Sequence, residues 1–187
     1  MTDVVEGPVD GLAARRVPQA LLVALAATAV LGTGVDRVAA DGEQRALLAC
    51  VEAGEAVQAH EAARAAGTVQ YASPQLTGAS TPAAVRASLE ALVAGVAGEA
   101  APQVDAARAD CAGVGALAWH GRERRARDAY AALLAAERDR WRAVATDVSV
   151  LFEPDASVAA LRSRALASLV AALAGEQERR VRDLLGA

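Results

Sequence analysis

Residues 122–152 read RERRARDAYAALLAAERDRWRAVATDVSVLF, and this stretch decides the fold. Within it the large apolar side chains Tyr130, Leu134, Trp141 and Val148 recur four or seven positions apart. That spacing places them on one face of an α-helix, as in helices that pack side by side at about 20°. The stretch therefore predicts a long helix that buries one face against other helices.

The composition extends this prediction to the whole chain. Of the 187 residues 51 are alanine, 54% are hydrophobic and only 3% are aromatic. Alanine favours helices, and a chain with few β-branched or aromatic residues is a poor source of β-strands. The formal charge of −4 offers no basic surface, so we expect no nucleic-acid partner. The length suits one domain with a core of its own.

Glycine, proline and capping residues divide the rest of the chain after Ala40 into three more helical stretches. The predicted ranges are 41–66, 81–117 and 155–185, with a polar connection over residues 67–80. Long helices joined by such connections pack in alternating directions. The sequence thus predicts an all-α protein in which residues 41–187 form an elongated antiparallel four-helix bundle.

Single residues predict further details of this bundle. Thr81-Pro82 is a helix start signal, because threonine caps the first turn and proline fits its first position. Gly95, Gly98 and Pro102 predict a kink or break in the stretch 81–117. The eight residues expected in the core are Leu89, Leu92, Val104, Leu134, Trp141, Val148, Leu169 and Leu173.

The N-terminal region differs from the rest. Residues 1–16 are polar and end in two arginines, and residues 17–35 follow without a charge. About 20 apolar residues span a bilayer, whereas a shorter apolar run before a small-residue motif, here Val38-Ala39-Ala40, is typical of a signal peptide. We expect a cytoplasmic tail over residues 1–16 and a transmembrane anchor or signal segment over residues 17–35. A buried helix of a cytosolic bundle is the alternative.

Both membrane interpretations export the C-terminal part of the chain, because positive charge stays on the cytoplasmic side. An uncleaved segment 17–35 gives a single-pass cell-membrane protein with residues 41–187 outside the cell membrane. Cleavage near Ala40 gives a secreted protein instead.

Exported proteins meet an oxidising environment, so we expect the two cysteines, Cys50 and Cys111, to form one intrachain disulfide. The pairing is geometrically demanding. If the first two helices turned tightly at residues 66 and 81, Cys111 would lie roughly 21 Å along the axis from the position opposite Cys50. A disulfide needs Cα atoms within about 7 Å. The pairing therefore requires the connection 67–80 to run back along the bundle, or the second stretch to fold at residues 95–102.

The sequence contains little material for catalysis. It has no lysine, no His-Glu-x-x-His motif, no Cys-x-x-Cys pair and no glycine-rich phosphate loop. Di-iron bundles use Glu-x-x-His pairs, but Val57 and Leu117 stand three residues before His60 and His120. We therefore predict no catalytic residue, no cofactor and no metal site.

Three residues remain as weak site candidates. His60, on the predicted apolar face of residues 41–66, and His120 could each be half of a metal site or a proton switch. The alternative for both is a boundary histidine that is hydrogen-bonded to a neighbour. Glu137 lies on the apolar face of residues 122–152. If it is buried there, it needs an arginine or His60 as partner.

These observations favour a non-catalytic protein of the cell envelope. It would be a membrane-anchored extracytoplasmic helical bundle that binds a protein partner, another copy of itself or a small ligand. One alternative is a metal-binding or enzymatic bundle that uses His60, His120 and carboxylates of the apolar faces. Another is an accessory subunit of a larger membrane complex.

The predicted topology has a direct test in intact cells. Because Arg15 and Arg16 should stay in the cytoplasm, protease added outside should digest residues 41–187. Immunoblotting of a C-terminal tag, with a cytosolic marker protein as the control for lysis, measures the digestion. Full protection of the C-terminal part contradicts the topology.

Overall fold

The computed structural model describes residues 19–77 and 81–186, with side chains described for residues 34–72 and 81–186. These ranges contain five α-helices, one 3₁₀ helix and no strand. The α-helices are α1 (Gln19–Thr77), α2 (Pro82–Ala112), α3 (Gly121–Thr146), α4 (Ala156–Ala172) and α5 (Glu176–Leu185), and the 3₁₀ helix is Val148–Phe152. The predicted all-α class is confirmed.

The chain divides into two compact units, residues 1–39 and residues 40–187. The predicted tail 1–16 lies outside the described residues, as do residues 17–18 and the side chains of residues 19–33 in the predicted membrane or signal segment. None of the helices in the described part of the chain has both the length and the hydropathy of a membrane span. The fold described below is that of residues 40–187.

Helix α1 is longer than the sequence predicted. It continues past Gly67 to Thr77, so the expected polar connection 67–80 is mostly helix. A glycine inside a helix costs only about 1 kcal/mol relative to alanine. Burial of Ala72, which is 8% exposed, and partial burial of Val69 offset that cost.

Helix α2 begins as predicted but is not broken. The Thr81 hydroxyl accepts a hydrogen bond from the Ala84 amide at 3.3 Å, and the helix passes through the exposed Pro102 to Ala112. Its buried face is Val93, Ala97, Ala100, Ala101, Val104, Ala107 and Cys111. In a continuous helix, residues eleven positions apart are about three turns apart and lie on the same face. Val93 therefore shares the buried face of Val104, whereas Leu92 does not.

Five of the eight residues predicted to lie in the core are buried there. Val104, Leu134, Trp141, Leu169 and Leu173 are buried. Leu89 and Val148 are half-buried, whereas Leu92 is 44% exposed, so its assignment to the core is wrong.

The predicted fourth helix is two helices. Leu173 leaves helical geometry with φ −101° and ψ 159°, and Gly175, at the start of α5, has φ +60°. A positive φ suits glycine because it has no Cβ. The chain therefore changes direction at residues 173–175 before α5 buries Val181 and Leu185.

Pairs of side chains fix the relative directions of the helices. Cys50 meets Cys111, and Arg64, further along α1, meets Glu99, which is earlier in α2, so α1 and α2 are antiparallel. In α3 the Tyr130 hydroxyl donates to the Val51 carbonyl at 3.1 Å, and the Trp141 indole donates to the Gln58 amide oxygen at 3.1 Å. Both sequence numbers rise together in these two contacts, so α1 and α3 are parallel.

Two glycines of α1 provide a test of this helix. Gly54 is buried, and a Cβ there would overlap the Tyr130 hydroxyl, whereas a Cβ at Gly67 would meet nothing within 4 Å. We expect Gly54→Ala to lower the free energy of unfolding by about 1–3 kcal/mol, because an added methyl overpacks the core. Gly67→Ala should raise it by roughly 0.5–1 kcal/mol, because alanine is the better helix former.

Urea denaturation followed by circular dichroism measures both effects. Gly42→Ala serves as a control, since it is also a helical glycine with nothing within 4 Å of its Cβ position. A loss of stability in Gly67→Ala would show that the helix ends at Gly67 and would contradict a continuous α1.

Candidate functional site

The two cysteines are joined by a disulfide between α1 and α2, with 5.2 Å between their Cα atoms. This is the pairing that the sequence predicted. The pairing does not require either arrangement expected from the sequence, a connection that runs back along the bundle or a fold in α2. Cys50 lies 27 residues before the end of α1 and Cys111 lies 29 residues after the start of α2, so two antiparallel helices bring them level.

His120 lies at the start of α3 and contacts Glu43 of α1. Its Nδ1 is 2.6 Å from the Glu43 Oε2, and the Leu117 amide donates to the other carboxylate oxygen at 2.7 Å. The side chains of His120 and Glu43 are only 9% and 13% exposed. This pair holds the loop between α2 and α3 against α1, which is the arrangement of a boundary histidine bonded to a neighbour.

His60 does not belong to the apolar face of α1. Its side chain is 69% exposed, and the neighbouring Glu61 is buried instead. The Glu61 carboxylate binds Arg64 at 2.8 Å, and Arg64 also binds Glu99 of α2 at 2.6 Å. The sequence pattern placed this face one residue out of register, so the expected inward position of His60 is wrong.

Glu137 is nearly buried and has the arginine partner that the sequence required. Its side chain is 13% exposed and lies 3.3 Å from the Arg162 guanidinium of α4, which also binds Glu55 of α1 at 3.0 Å. The Tyr130 hydroxyl also lies 3.1 Å from the Glu55 carboxylate, so its one proton is shared between this oxygen and the Val51 carbonyl. Burial raises the pKa of this phenol well above its ordinary value, so the hydroxyl stays protonated. This network joins α1, α3 and α4.

The described residues contain no group of three or more histidine, cysteine, aspartate or glutamate side chains that could hold a metal ion. His60 lies 3.9 Å from the Glu61 carboxylate, and His120 binds the Glu43 carboxylate. The predicted candidates are thus not brought together. Glu137 enters a structural ion-pair network.

A cleft beside Trp141 is the feature that sequence reasoning missed. It has a volume of about 620 Å³ and is lined from three sides. Helix α1 contributes Gln58, Ala62, Ala65, Ala66 and Val69, helix α3 contributes Glu137, Arg140, Trp141 and Val144, and the 3₁₀ helix contributes Leu151 and Phe152. We call it the Trp141 cleft. Its only trace in the sequence is a run of small residues, EAARAAG at 61–67, which is common in an alanine-rich chain.

The 3₁₀ helix forms one wall of the cleft and is held by Arg140. The Nη2 of this guanidinium donates to the carbonyls of Leu151, at 3.4 Å, and Glu153, at 3.1 Å. Phe152, 78% exposed, lies at the edge of the Trp141 cleft and of a second cleft of about 880 Å³ against α2. The two clefts also share Val69.

Polar groups are few in the Trp141 cleft, and one of them is incompletely bonded. The Gln58 amide oxygen accepts from the Trp141 indole, and the Gln58 Nε2 is buried without a hydrogen-bond partner among the described residues. An indole N–H can only donate, so the amide orientation is fixed by this bond. The Nε2 is thus an unsatisfied donor that is closed off from solvent.

Comparisons of the chain with protein-family models, with curated proteins and with solved structures found no match.

The disulfide supports a stability prediction. It closes a loop with a sequence separation of 61 residues, for which the chain-entropy relation gives about 4 kcal/mol. We expect the double variant Cys50→Ala, Cys111→Ala to lose a free energy of unfolding of about that size in urea denaturation. A reducing agent should lower the stability of the native protein and leave that of the variant unchanged. Two free thiols in the non-reduced, alkylated native protein would contradict the bridge.

Proposed function

We propose that residues 40–187 form a non-catalytic extracytoplasmic domain that binds a small, mainly apolar ligand in the Trp141 cleft. The observation that carries the proposal is the cleft itself. Its volume of about 620 Å³ lies within the range of small-molecule sites, and apolar residues dominate its lining. The few polar groups, Gln58, Glu137 and Arg140, are of the kind that orient a ligand in such sites.

The proposed location rests on the disulfide and on the N-terminal sequence. A structural disulfide is typical of proteins outside the reducing cytosol. The uncharged segment 17–35 behind two arginines would act as a single-pass anchor or as a signal segment that is removed near Ala40. Both outcomes place the cleft outside the cell membrane.

The frame that we propose for the cleft is an antiparallel four-helix bundle of α1 to α4. The contacts that support it are the antiparallel pair α1 and α2, the parallel pair α1 and α3, and the Arg162 bridge from α4 to both α1 and α3. Alternating directions of this kind are typical of up-down-up-down bundles. Within such a frame a ligand site lies between facing helices.

A neutral fluorescent probe tests the site. In a Trp119→Phe background Trp141 is the sole tryptophan, so energy transfer from Trp141 to N-phenyl-1-naphthylamine reports binding near the cleft. We expect saturable transfer. Ala66→Phe should weaken binding at least about tenfold, a free-energy change of about 1.4 kcal/mol, because the ring fills the cleft.

Ala63→Phe is the matched control, because Ala63 is exposed on the same helix and outside the cleft lining. It should bind the probe as the parent does, and circular dichroism should show the same helix content in both variants. An absence of saturable transfer in the parent protein, or equal binding by Ala63→Phe and Ala66→Phe, contradicts the proposed function.

A further inference from the structure

We infer that the ligand of the Trp141 cleft is an amphipathic monocarboxylic acid whose carboxylate binds Arg140 while its hydrocarbon part lies along the apolar wall. This inference rests on the proposed function and identifies the ligand class for the same site. It is argued from the hydrogen-bonding capacity that the cleft wall leaves unused.

Arg140 has no carboxylate partner among the described residues, unlike Arg162 and Arg138. Only its Nη2 is engaged, by the two carbonyls at the end of the 3₁₀ helix. Its charge contributes to lowering the pKa of Asp155, but hydrogen bonds from Ser157 and Val158, at the start of α4, are larger causes of that shift. The positive charge of Arg140 is therefore not neutralised by an ion pair in this part of the chain.

Gln58 supplies no free donor at the cleft surface, because its amide oxygen accepts from Trp141 and its Nε2 is buried away from solvent. Arg140 is therefore the donor that a ligand in the cleft can use. A guanidinium requires acceptors, and a carboxylate offers two oxygens to satisfy it. A hydroxyl or an amine in the same place would leave the charge of Arg140 unpaired.

Glu137 is the acidic residue in the cleft wall, and a free negative charge there would repel a carboxylate ligand. One of its carboxylate oxygens already lies 3.3 Å from Arg162, and its side chain is only 13% exposed. It is thus committed to the ion-pair network behind the wall. Ala62, Val69 and Val144 in the same lining have no polar side-chain group and suit a hydrocarbon chain.

Displacement of N-phenyl-1-naphthylamine by three molecules of equal chain length distinguishes the head groups: decanoate, 1-decanol and decylamine. We expect decanoate to bind at least about tenfold more tightly than either of the others. Arg140→Met should remove this preference and leave binding of the neutral probe within about threefold. Arg142→Met, which removes the same charge from an exposed position of α3, should keep the preference.

A second variant keeps the test valid if Arg140→Met disturbs the 3₁₀ helix. Gln58→Glu is almost isosteric, retains an acceptor for the Trp141 indole and places in the cleft lining a negative charge that repels a carboxylate. Decanoate should then bind at least about tenfold more weakly while the neutral probe still binds. Gln70→Glu adds the same charge at an exposed position of α1 and should change neither affinity.

The outcomes separate this inference from the proposed function. If the neutral probe binds but decanoate and decanol compete equally, the carboxylate assignment is wrong and the apolar site stands. If decanoate keeps its preference in both Arg140→Met and Gln58→Glu, the carboxylate does not bind beside Arg140. If the neutral probe does not bind the native protein, the cleft is not a ligand site and both proposals are overturned.

Discussion

The register between α1 and α2 is the constraint on which the rest of the domain depends, and the Cys50–Cys111 bond fixes it. The bond joins two buried positions, and the Arg64–Glu99 ion pair repeats the same antiparallel alignment further along the two helices. With α1 held in this way, its buried face meets α3 at Val51 and Gln58. The Gln58–Trp141 bond puts the alanines that follow Gln58 beside Trp141, which is where the cleft lies.

The sequence was most informative where one face of a helix carries large residues. In α3 the spacing of Tyr130, Leu134 and Trp141 identified the buried face, and all three are buried. In α1 alanine is present on every face, so hydrophobic periodicity could not separate the position of His60 from that of Glu61. In α2 the core prediction included Leu92, but the continuous helix buries the neighbouring Val93 instead.

Glu137 is a candidate that the sequence could identify, but its partners could not be identified from the sequence. Glu137, Glu55 and Arg162 belong to three helices, and their side chains meet only when the helices are assembled. The requirement that a buried carboxylate finds a cation was predictable, but the identity of the cation was not, because it lies 25 residues away on α4. Replacing such a network by apolar residues is often neutral for stability, so the presence of the network is weak evidence for a more stable core.

Alanine-rich helices explain why this domain has a cleft at all. Where α2 meets its neighbours, Ala97 and Ala100 are fully buried, because small side chains let two backbones approach closely. Between Gln58 and Val69 of α1 the facing side chain is the large Trp141, and alanines cannot reach across the space that remains beside it. Larger residues at Ala62 or Ala66 would bury more apolar area but would remove the cleft. Core packing and ligand binding therefore compete for the same positions on α1.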